Sequence, residues 1–173
     1  MAQTTQDAPA AAQTAQASQQ MIINVQYLKD LSFESPRAPQ SLLSAREAPA
    51  VNLNVDVKAR SLGTDVFEVV LNLGAEARNG DDPVFLVEVA YAAVVTLRNT
   101  PPDLVPILVF VETPRLLFPF ARNVIAGATR DGGFPPLLIN PIDFADLLRR
   151  EHARTIKEQD GQGLSAPTPP VSA

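Results

Sequence analysis

The sequence predicts an α+β domain, with a four-stranded antiparallel sheet and two helices packed on one face. Three observations support this class. Two long segments of alternating apolar residues meet at Asn79-Gly80, and two further alternating segments precede them. Helical spacing appears only in the second half of the chain. Strands that come first and helices that follow are typical of helices laid on one side of an antiparallel sheet.

The first predicted strand begins at Ile22, because residues 1–20 contain no large apolar side chain except Met1. Burial of such a segment cannot offset the entropy lost on ordering, so residues 1–20 are predicted to be a disordered tail. In the strand, one parity is polar and carries Asp30 and Glu34, while Leu28 and Lys29 break the alternation. The apolar parity holds Ile23, Val25, Tyr27, Leu31 and Phe33.

The next three strands form the centre of the prediction. Residues 51–58 alternate, a turn near Gly63 follows, and the Asn79-Gly80 pair is typical of a type I′ hairpin turn. The hairpin has an apolar row on one face and a largely acidic row on the other, with Glu68, Glu76, Leu86 and Glu88. A two-stranded ribbon is unstable alone, so other strands must flank it and helices must cover its apolar face.

The second half of the chain predicts two helices joined by an extended segment. Residues 116–130 have helical spacing, Asp131-Gly132-Gly133 ends it, and Pro119 predicts a bend or a restart. Prolines keep residues 134–141 extended, and Asp143 is a good cap for the last helix. Residues 158–173 are predicted to be a second disordered tail, which leaves one domain over residues 21–157.

Composition excludes several classes of protein. The net charge of -5 disfavours nucleic-acid binding, which depends on Lys and Arg. The absence of cysteine removes disulfides and thiolate sites, and the cytoplasm is the expected compartment. No apolar run is long and uninterrupted enough to predict stable membrane insertion, and no signal peptide pattern opens the chain.

Candidates for catalysis are few. The one histidine, His152, lies in a charged stretch that is typical of a solvated helix face. Asp30 with Glu34, or Glu68 with Glu88, could form an acid/base pair, but carboxylates on the polar row of a sheet are usually solvated and keep ordinary pKa values. No metal or cofactor signature is present. An acidic docking face is therefore favoured over an active site.

Several motifs resemble the SecB family of bacterial export chaperones. They are residues 27–39 (YLKDLSFESPRAP), 65–71 (DVFEVVL), 85–89 (FLVEV), 117–122 (LFPFAR), 133–137 (GFPPL) and 141–144 (PIDF). They occur in family order and cover the chain from Ile22 to Leu148. The Pro- and Ala-rich C-terminal tail departs from the acidic tail of the family, so a contact of this tail with a partner is not expected.

The resemblance implies an ATP-independent holdase that uses no cofactor. It implies a cytoplasmic homotetramer, arranged as a dimer of dimers, that keeps precursor proteins unfolded and delivers them to the motor SecA. The family's docking residues fall on Asp30, Glu34, Leu86 and Glu88. The family's client grooves suit Val51, Leu53, Val55, Phe134, Leu137, Ile139, Phe144 and Leu148.

Two alternatives stay open at this point. One is a SecB-like chaperone dedicated to a single client such as an antitoxin, which differs in its partners and not in its fold. The other is a small-molecule hydrolase that uses the carboxylates, which would require a closed pocket with an acidic side chain beside the ligand. The large apolar residues of the second half are either core or groove, and periodicity alone does not separate these roles.

Overall fold

The computed structural model describes residues 19–43 and 48–162. Four strands form one antiparallel sheet in the order β1-β4-β3-β2. Their bounds are Gln20–Glu34 for β1, Ala50–Gly63 for β2, Val66–Asn79 for β3 and Asp82–Arg98 for β4. The α+β class and the four-stranded sheet are confirmed, and the hairpin β3–β4 occupies the centre of the sheet.

The hairpin has the two faces that the alternation predicts. Side chains at odd positions of β3 and β4 face the helices and form the core, with Leu71, Leu73 and Val87 among the fully buried ones. The predicted turn is displaced by one residue. Asn79 pairs with Asp82, so the loop residues are Gly80 and Asp81, and only Gly80 has a positive φ, of 60°. A positive φ at the first loop position is typical of a type II′ turn, which suits glycine there.

Strand β1 does not keep one parity along its length. Its pairing with β4 shifts between Ile23 and Val25 and again between Leu28 and Asp30. Each shift is a β-bulge, in which one extra residue turns the following side chains to the opposite face. The single apolar row predicted for β1 is therefore wrong: Ile23 and Phe33 face the helices, whereas Val25 and Tyr27 lie on the opposite face, which we call the outer face.

Two long helices lie on the other side of the sheet. Helix α3 spans Thr113–Asp131 and α4 spans Phe144–Gln162, and α3 packs across β4, β3 and β1. Helix α3 runs through Pro119 without a restart, so of the two predicted outcomes the restart does not occur. Three short segments were not predicted: α1 (Gln40–Leu43), α2 (Val105–Ile107) and a π-helical turn (Leu108–Glu112).

The predicted end of α3 and start of α4 are confirmed. Helix α3 stops before Gly132, whose N–H donates to the Ala128 carbonyl, and Gly133 follows with a φ of 88°. At the start of α4, the Asp143 carboxylate accepts a hydrogen bond from the Asp146 N–H at 2.9 Å. This bond satisfies one of the free N–H groups of the first helical turn.

The buried hydroxyl of Thr129 connects helix α3 to the extended segment that follows it, residues 134–141. Thr129 Oγ1 accepts a hydrogen bond from the Leu137 N–H at 3.0 Å and lies 3.0 Å from the Ile125 carbonyl, to which it donates. This pair of bonds fixes a proline-rich segment that has no strand partner of its own.

The two predicted tails lie almost entirely outside the described residues, apart from their inner ends. There, β1 begins at Gln20 and α4 continues to Gln162, past residue 158. No helix among residues 19–43 and 48–162 is long and apolar enough to cross a membrane.

Candidate functional site

The four predicted docking residues lie near one another on the outer face. In the β1–β4 pairing, Glu34 lies opposite Leu86, Ser32 lies opposite Glu88, and Asp30 lies two pairs beyond, opposite Ala90. Asp30, Glu34 and Glu88 are exposed, and Leu86 is half-buried. We call the patch formed by these three carboxylates and Leu86 the acidic surface.

The carboxylates of the acidic surface form no ion pair within residues 19–43 and 48–154. Within the described residues, Asp30, Glu34 and Glu88 have no Lys, Arg or His nitrogen within ion-pair distance. Gly74 lies opposite Glu88 on β3 and adds no side chain over it. Unpaired like charges on a nearly flat sheet produce a negative field that attracts basic groups of a partner.

The other end of the outer face contains a different carboxylate. Glu68 was predicted to be solvated on the acidic row, but it is only 3% exposed, so that prediction is wrong. The Tyr27 hydroxyl and Lys29 Nζ both donate to Glu68 Oε1, the ammonium at 2.9 Å, and Arg60 Nε donates to Oε2 at 2.6 Å. We call Tyr27, Lys29, Arg60 and Glu68 the Glu68 cluster.

The Glu68 cluster joins three strands over the surface of β4. Glu68 comes from β3, Tyr27 and Lys29 come from the edge strand β1, and Arg60 comes from the opposite edge strand β2. Ala92 of β4 lies beneath the β1 partners and is completely buried. The cluster therefore ties both edges of the sheet to its centre on the outer face.

These contacts lower the pKa of Glu68 and raise the pKa of Tyr27. The Tyr27 hydroxyl, then Lys29, and to a smaller extent Arg60, stabilise the charged form and lower the pKa of Glu68 to about 2, although burial alone would raise it. The hydrogen bond to Glu68 also raises the pKa of Tyr27, because the phenol donates to an anion. Glu68 is thus ionised at every physiological pH.

The register disfavours the acid/base pairs considered from the sequence. Glu68 pairs with Val94, which lies six residues from Glu88 along β4. Six strand residues span about 20 Å, so these two carboxylates cannot share a proton. Asp30 and Glu34 flank Ser32 on the same strand, and about 13 Å of backbone separates them.

Two apolar hollows lie on the helix side of the sheet, along the edge strand β2. The tip hollow, beside the hairpin loop, has a volume of about 460 Å³ and includes Val51, Phe85, Phe134 and Leu137. The α4 hollow has a volume of about 200 Å³ and lies between β2 and α4. Its lining includes Val55, Phe110, Leu147 and Leu148, with Asp56, Glu151 and His152 also on its wall.

The predicted groove residues divide into three groups. Val51, Phe134 and Leu137 line the tip hollow, and Val55 and Leu148 line the α4 hollow. Leu53 lies between the two on β2 and is 50% exposed. Ile139 and Phe144 are 4% and 1% exposed, so they belong to the core beneath the hollows and present no surface to a client in this chain.

His152 and the carboxylates form no metal-binding group in the part of the chain that the structure describes. His152 is exposed on α4, as expected for a charged helix face. Among residues 19–43 and 48–154, no three Asp, Glu, His or Cys side chains come close enough to hold a metal ion.

Sequence reasoning missed the Glu68 cluster, although one signal for it was present. Lys29 interrupts the alternation of β1, and a charged residue out of parity is typical of a bulge. The partner of Lys29 is distant in sequence, so periodicity within β1 could not identify it.

Comparison with known proteins gives consistent matches. Residues 14–155 match the family described as preprotein translocase subunit SecB. The chain is 47% identical over 140 residues to the protein-export protein SecB of Rhodospirillum centenum, which covers 80% of this chain and 83% of that protein. It is 45% identical over 166 residues to the protein of the same name from Maricaulis maris, which covers 95% of each chain.

One solved structure shares the fold at low sequence identity. It is a SecB-like chaperone from Mycobacterium tuberculosis, crystallised with a peptide of an antitoxin. The TM-score is 0.60 at 15% identity, and the match covers 70% of this chain and 90% of that chain. At this identity the likeness concerns the arrangement of strands and helices.

Proposed function

The chain belongs to the SecB family of protein-export chaperones, and on that premise we propose that it holds precursor proteins unfolded and delivers them to the motor SecA. The observation that carries the proposal is the division of one sheet between two surfaces. An acidic surface whose carboxylates have no ion pair in the described part of the chain lies on the outer face, and open apolar hollows lie along the edge of the helix side. Holding and delivery need no bond chemistry, so no cofactor is required.

The hollows are the proposed client sites. An extended client segment can place apolar side chains in the tip hollow and the α4 hollow, with Leu53 between them. Each site gains only the burial of a few side chains and must order the client backbone, so a single groove binds weakly. We propose a homotetramer, a dimer of dimers, in which one long client occupies several grooves and linkage raises its effective concentration.

The acidic surface is the proposed docking site of SecA. Asp30, Glu34 and Glu88 offer a basic partner three charges that have no ion pair among the described residues, and the half-buried Leu86, opposite Glu34, offers an apolar contact beside them. Charges at the rim of an interface mainly set the association rate and the salt dependence, while the apolar contact adds affinity. The proposed chaperone unit spans residues 21–157, between proposed tails over 1–20 and 158–173, and works in the cytoplasm.

The comparisons favour general export over a dedicated client. The two relatives named protein-export protein SecB described above are 47% and 45% identical, whereas the chaperone solved with an antitoxin peptide shares 15%. A pull-down that recovers many unfolded precursors supports the export proposal, and recovery of a single partner contradicts it.

Charge reversal at Glu88 tests the docking site. We expect Glu88→Lys to weaken SecA binding about tenfold at low salt and to reduce its salt dependence, while client binding stays unchanged. Asp103→Lys is the matched control, because it changes the net charge equally but lies in the loop between β4 and α2. Equal SecA affinity for Glu88→Lys and the wild type, measured by calorimetry, would remove the docking assignment.

Substitution of an exposed leucine on β2 tests the client site. Leu53 and Leu62 are 50% and 48% exposed on the same strand, but only Leu53 lies beside the hollows. We expect Leu53→Ser to weaken the binding of an unfolded precursor about fivefold, the effect of losing about 1 kcal/mol of apolar burial, and Leu62→Ser to have no effect. An equal loss in both variants would show that general surface hydrophobicity, and not the groove, binds the client.

The native mass of the assembly tests the tetramer. A tetramer that takes up one precursor chain agrees with the multivalent mechanism. A variant restricted to dimers that holds clients as tightly as the full assembly would contradict it.

A further inference from the structure

Odd-numbered side chains of β1 lie on both faces of the sheet. Tyr27 and Lys29 reach the outer face, where both donate to Glu68. Phe33 also has an odd number, yet it faces the helices. In a regular strand all three side chains would lie on one face, so an extra residue must be inserted between Lys29 and Phe33 or beside them.

The contact of Phe33 with the helix side is tight. Its ring centroid lies 6.0 Å from that of Phe85 and 6.4 Å from that of Phe134. At Gly132 the ring comes so close that an added Cβ would lie 2.3 Å from its Cζ atom. Phe33 therefore sets the faces of its neighbours Ser32 and Glu34, which point outward.

The location of the extra residue decides the face of Asp30. The observed bulge leaves Lys29 without a pair of its own, and Asp30 then lies opposite Ala90 on the outer face. If the extra residue were Leu31, Lys29 would lie opposite Ala90 and Asp30 would point toward the helices. Glu34 would keep its outward direction, because Phe33 holds it.

Glu68 favours the observed location of the bulge. It lies opposite Val94, on the far side of the Tyr27–Ala92 pair from Asp30. Movement of the bulge toward Phe33 would place Lys29 opposite Ala90, farther from Glu68, and would lengthen the 2.9 Å ion pair. The bond between Lys29 and a buried, ionised carboxylate thus holds the extra residue at position 29.

We propose that Glu68, through Lys29, is a positioning residue that turns Asp30 outward to complete the acidic surface. The consequence for SecA rests on the proposed function, whereas the effect on Asp30 is independent of it. Arg60 bonds the other oxygen of Glu68 from β2, so it has no part in this positioning.

Cross-strand disulfides measure the face of Asp30 directly. The natural chain has no cysteine, so only an introduced pair can oxidise. Asp30→Cys with Ala90→Cys places two thiols opposite each other on the outer face, and Val25→Cys with Val94→Cys does the same before the bulge. Both pairs can close only when their side chains share a face.

We expect Glu68→Gln to slow oxidation of the pair at positions 30 and 90 several-fold, while the pair at 25 and 94 closes at its original rate. Lys29→Met, at a largely solvated side chain, should have the same effect and serves if the Glu68 variant does not fold. Arg60→Ala should leave both pairs unchanged. Equal slowing of both pairs would indicate general loss of β1 pairing and would overturn the proposal, as would no slowing of either.

A double-mutant cycle then separates positioning from docking. In the wild-type background, Asp30→Ala and Glu34→Ala should each weaken SecA binding about two- to fivefold, as for single exposed charges. In the Glu68→Gln background, the effect of Asp30→Ala should disappear and that of Glu34→Ala should remain. If the disulfide result holds but Asp30→Ala has no effect in either background, the positioning role stands and the docking assignment of Asp30 fails.

Discussion

The two ends of the outer face hold the same chemical group in opposite conditions. Glu68 at one end is buried and accepts hydrogen bonds from Tyr27, Lys29 and Arg60. Asp30, which borders the same outer-face hollow as Glu68, and Glu34, at the far end, are exposed. Among the described residues, neither has a Lys, Arg or His nitrogen within ion-pair distance. A polar row of a sheet is therefore not a uniform surface.

The difference follows from position in the sheet. Glu68 lies on β3, so side chains from strands on both sides can lean over it. Asp30 and Glu34 lie on the edge strand β1, where the chain supplies neighbours on one side only, and Gly74 leaves Glu88 uncovered. Carboxylates with internal partners stabilise the fold, and those without them remain available to another molecule.

The largest expected difference between the two ends is in stability. We expect Glu68→Ala to lower the free energy of unfolding by about 1–3 kcal/mol, because it removes charged hydrogen bonds and leaves Tyr27 without its acceptor. Glu88→Ala should change it by less than about 0.5 kcal/mol, as for an exposed residue. Urea unfolding at one fixed protein concentration measures both, and equal effects would contradict the contrast.

The second expected difference is in the response to acid. The folded pKa of Glu68, about 2, is lower than its ordinary value of 4.5, so its stabilisation is fully present above pH 4.5 and is lost as pH falls through 2. The stability gap between the wild type and Glu68→Gln should therefore be constant near neutral pH and narrow below pH 4.5. A gap that stays constant down to pH 2.5 would show that the charge of Glu68 contributes nothing.

The smallest expected effect concerns the acidic surface itself. The triple variant Asp30→Asn, Glu34→Gln, Glu88→Gln removes repulsion between neighbouring carboxylates, so stability should rise by a few tenths of a kcal/mol, about 0.5 at most, at low salt. The gain should vanish near 1 M salt, where charges are screened beyond about 3 Å. A clear loss of stability in this variant would mean that these carboxylates have internal partners after all.

Much of the fold could be predicted from local pattern. The alternation of β3 and β4 gives the correct buried row, and Gly132 and Asp143 mark the correct helix ends. The short segments before α3 could not be predicted, because residues 104–111 are apolar without a clear period. The hairpin loop was displaced by one residue because Gly80-Asp81 also satisfies a two-residue turn.

The candidate site was predicted unevenly for a physical reason. Parity places Leu86 and Glu88 on the outer face, because β4 keeps a single parity from 86 onward in its pairing with β3. Asp30 reaches that face because the bulge at Lys29 reverses the change of parity that the bulge at Asn24 introduces. Ile139 and Phe144 were assigned to the groove, but they lie beneath it, since apolar character alone does not separate floor from core.

The sequence by itself determined which residues form strands, which face of the central hairpin is apolar, and where α3 ends and α4 begins. These properties depend on the side-chain period and on local backbone preferences. Only the tertiary structure decided that Glu68 is buried and paired, whereas Asp30, Glu34 and Glu88 have no cationic partner among the described residues. That outcome depends on side chains from β1 and β2 meeting over β4, and such neighbours are distant in the chain and leave no periodic trace in it.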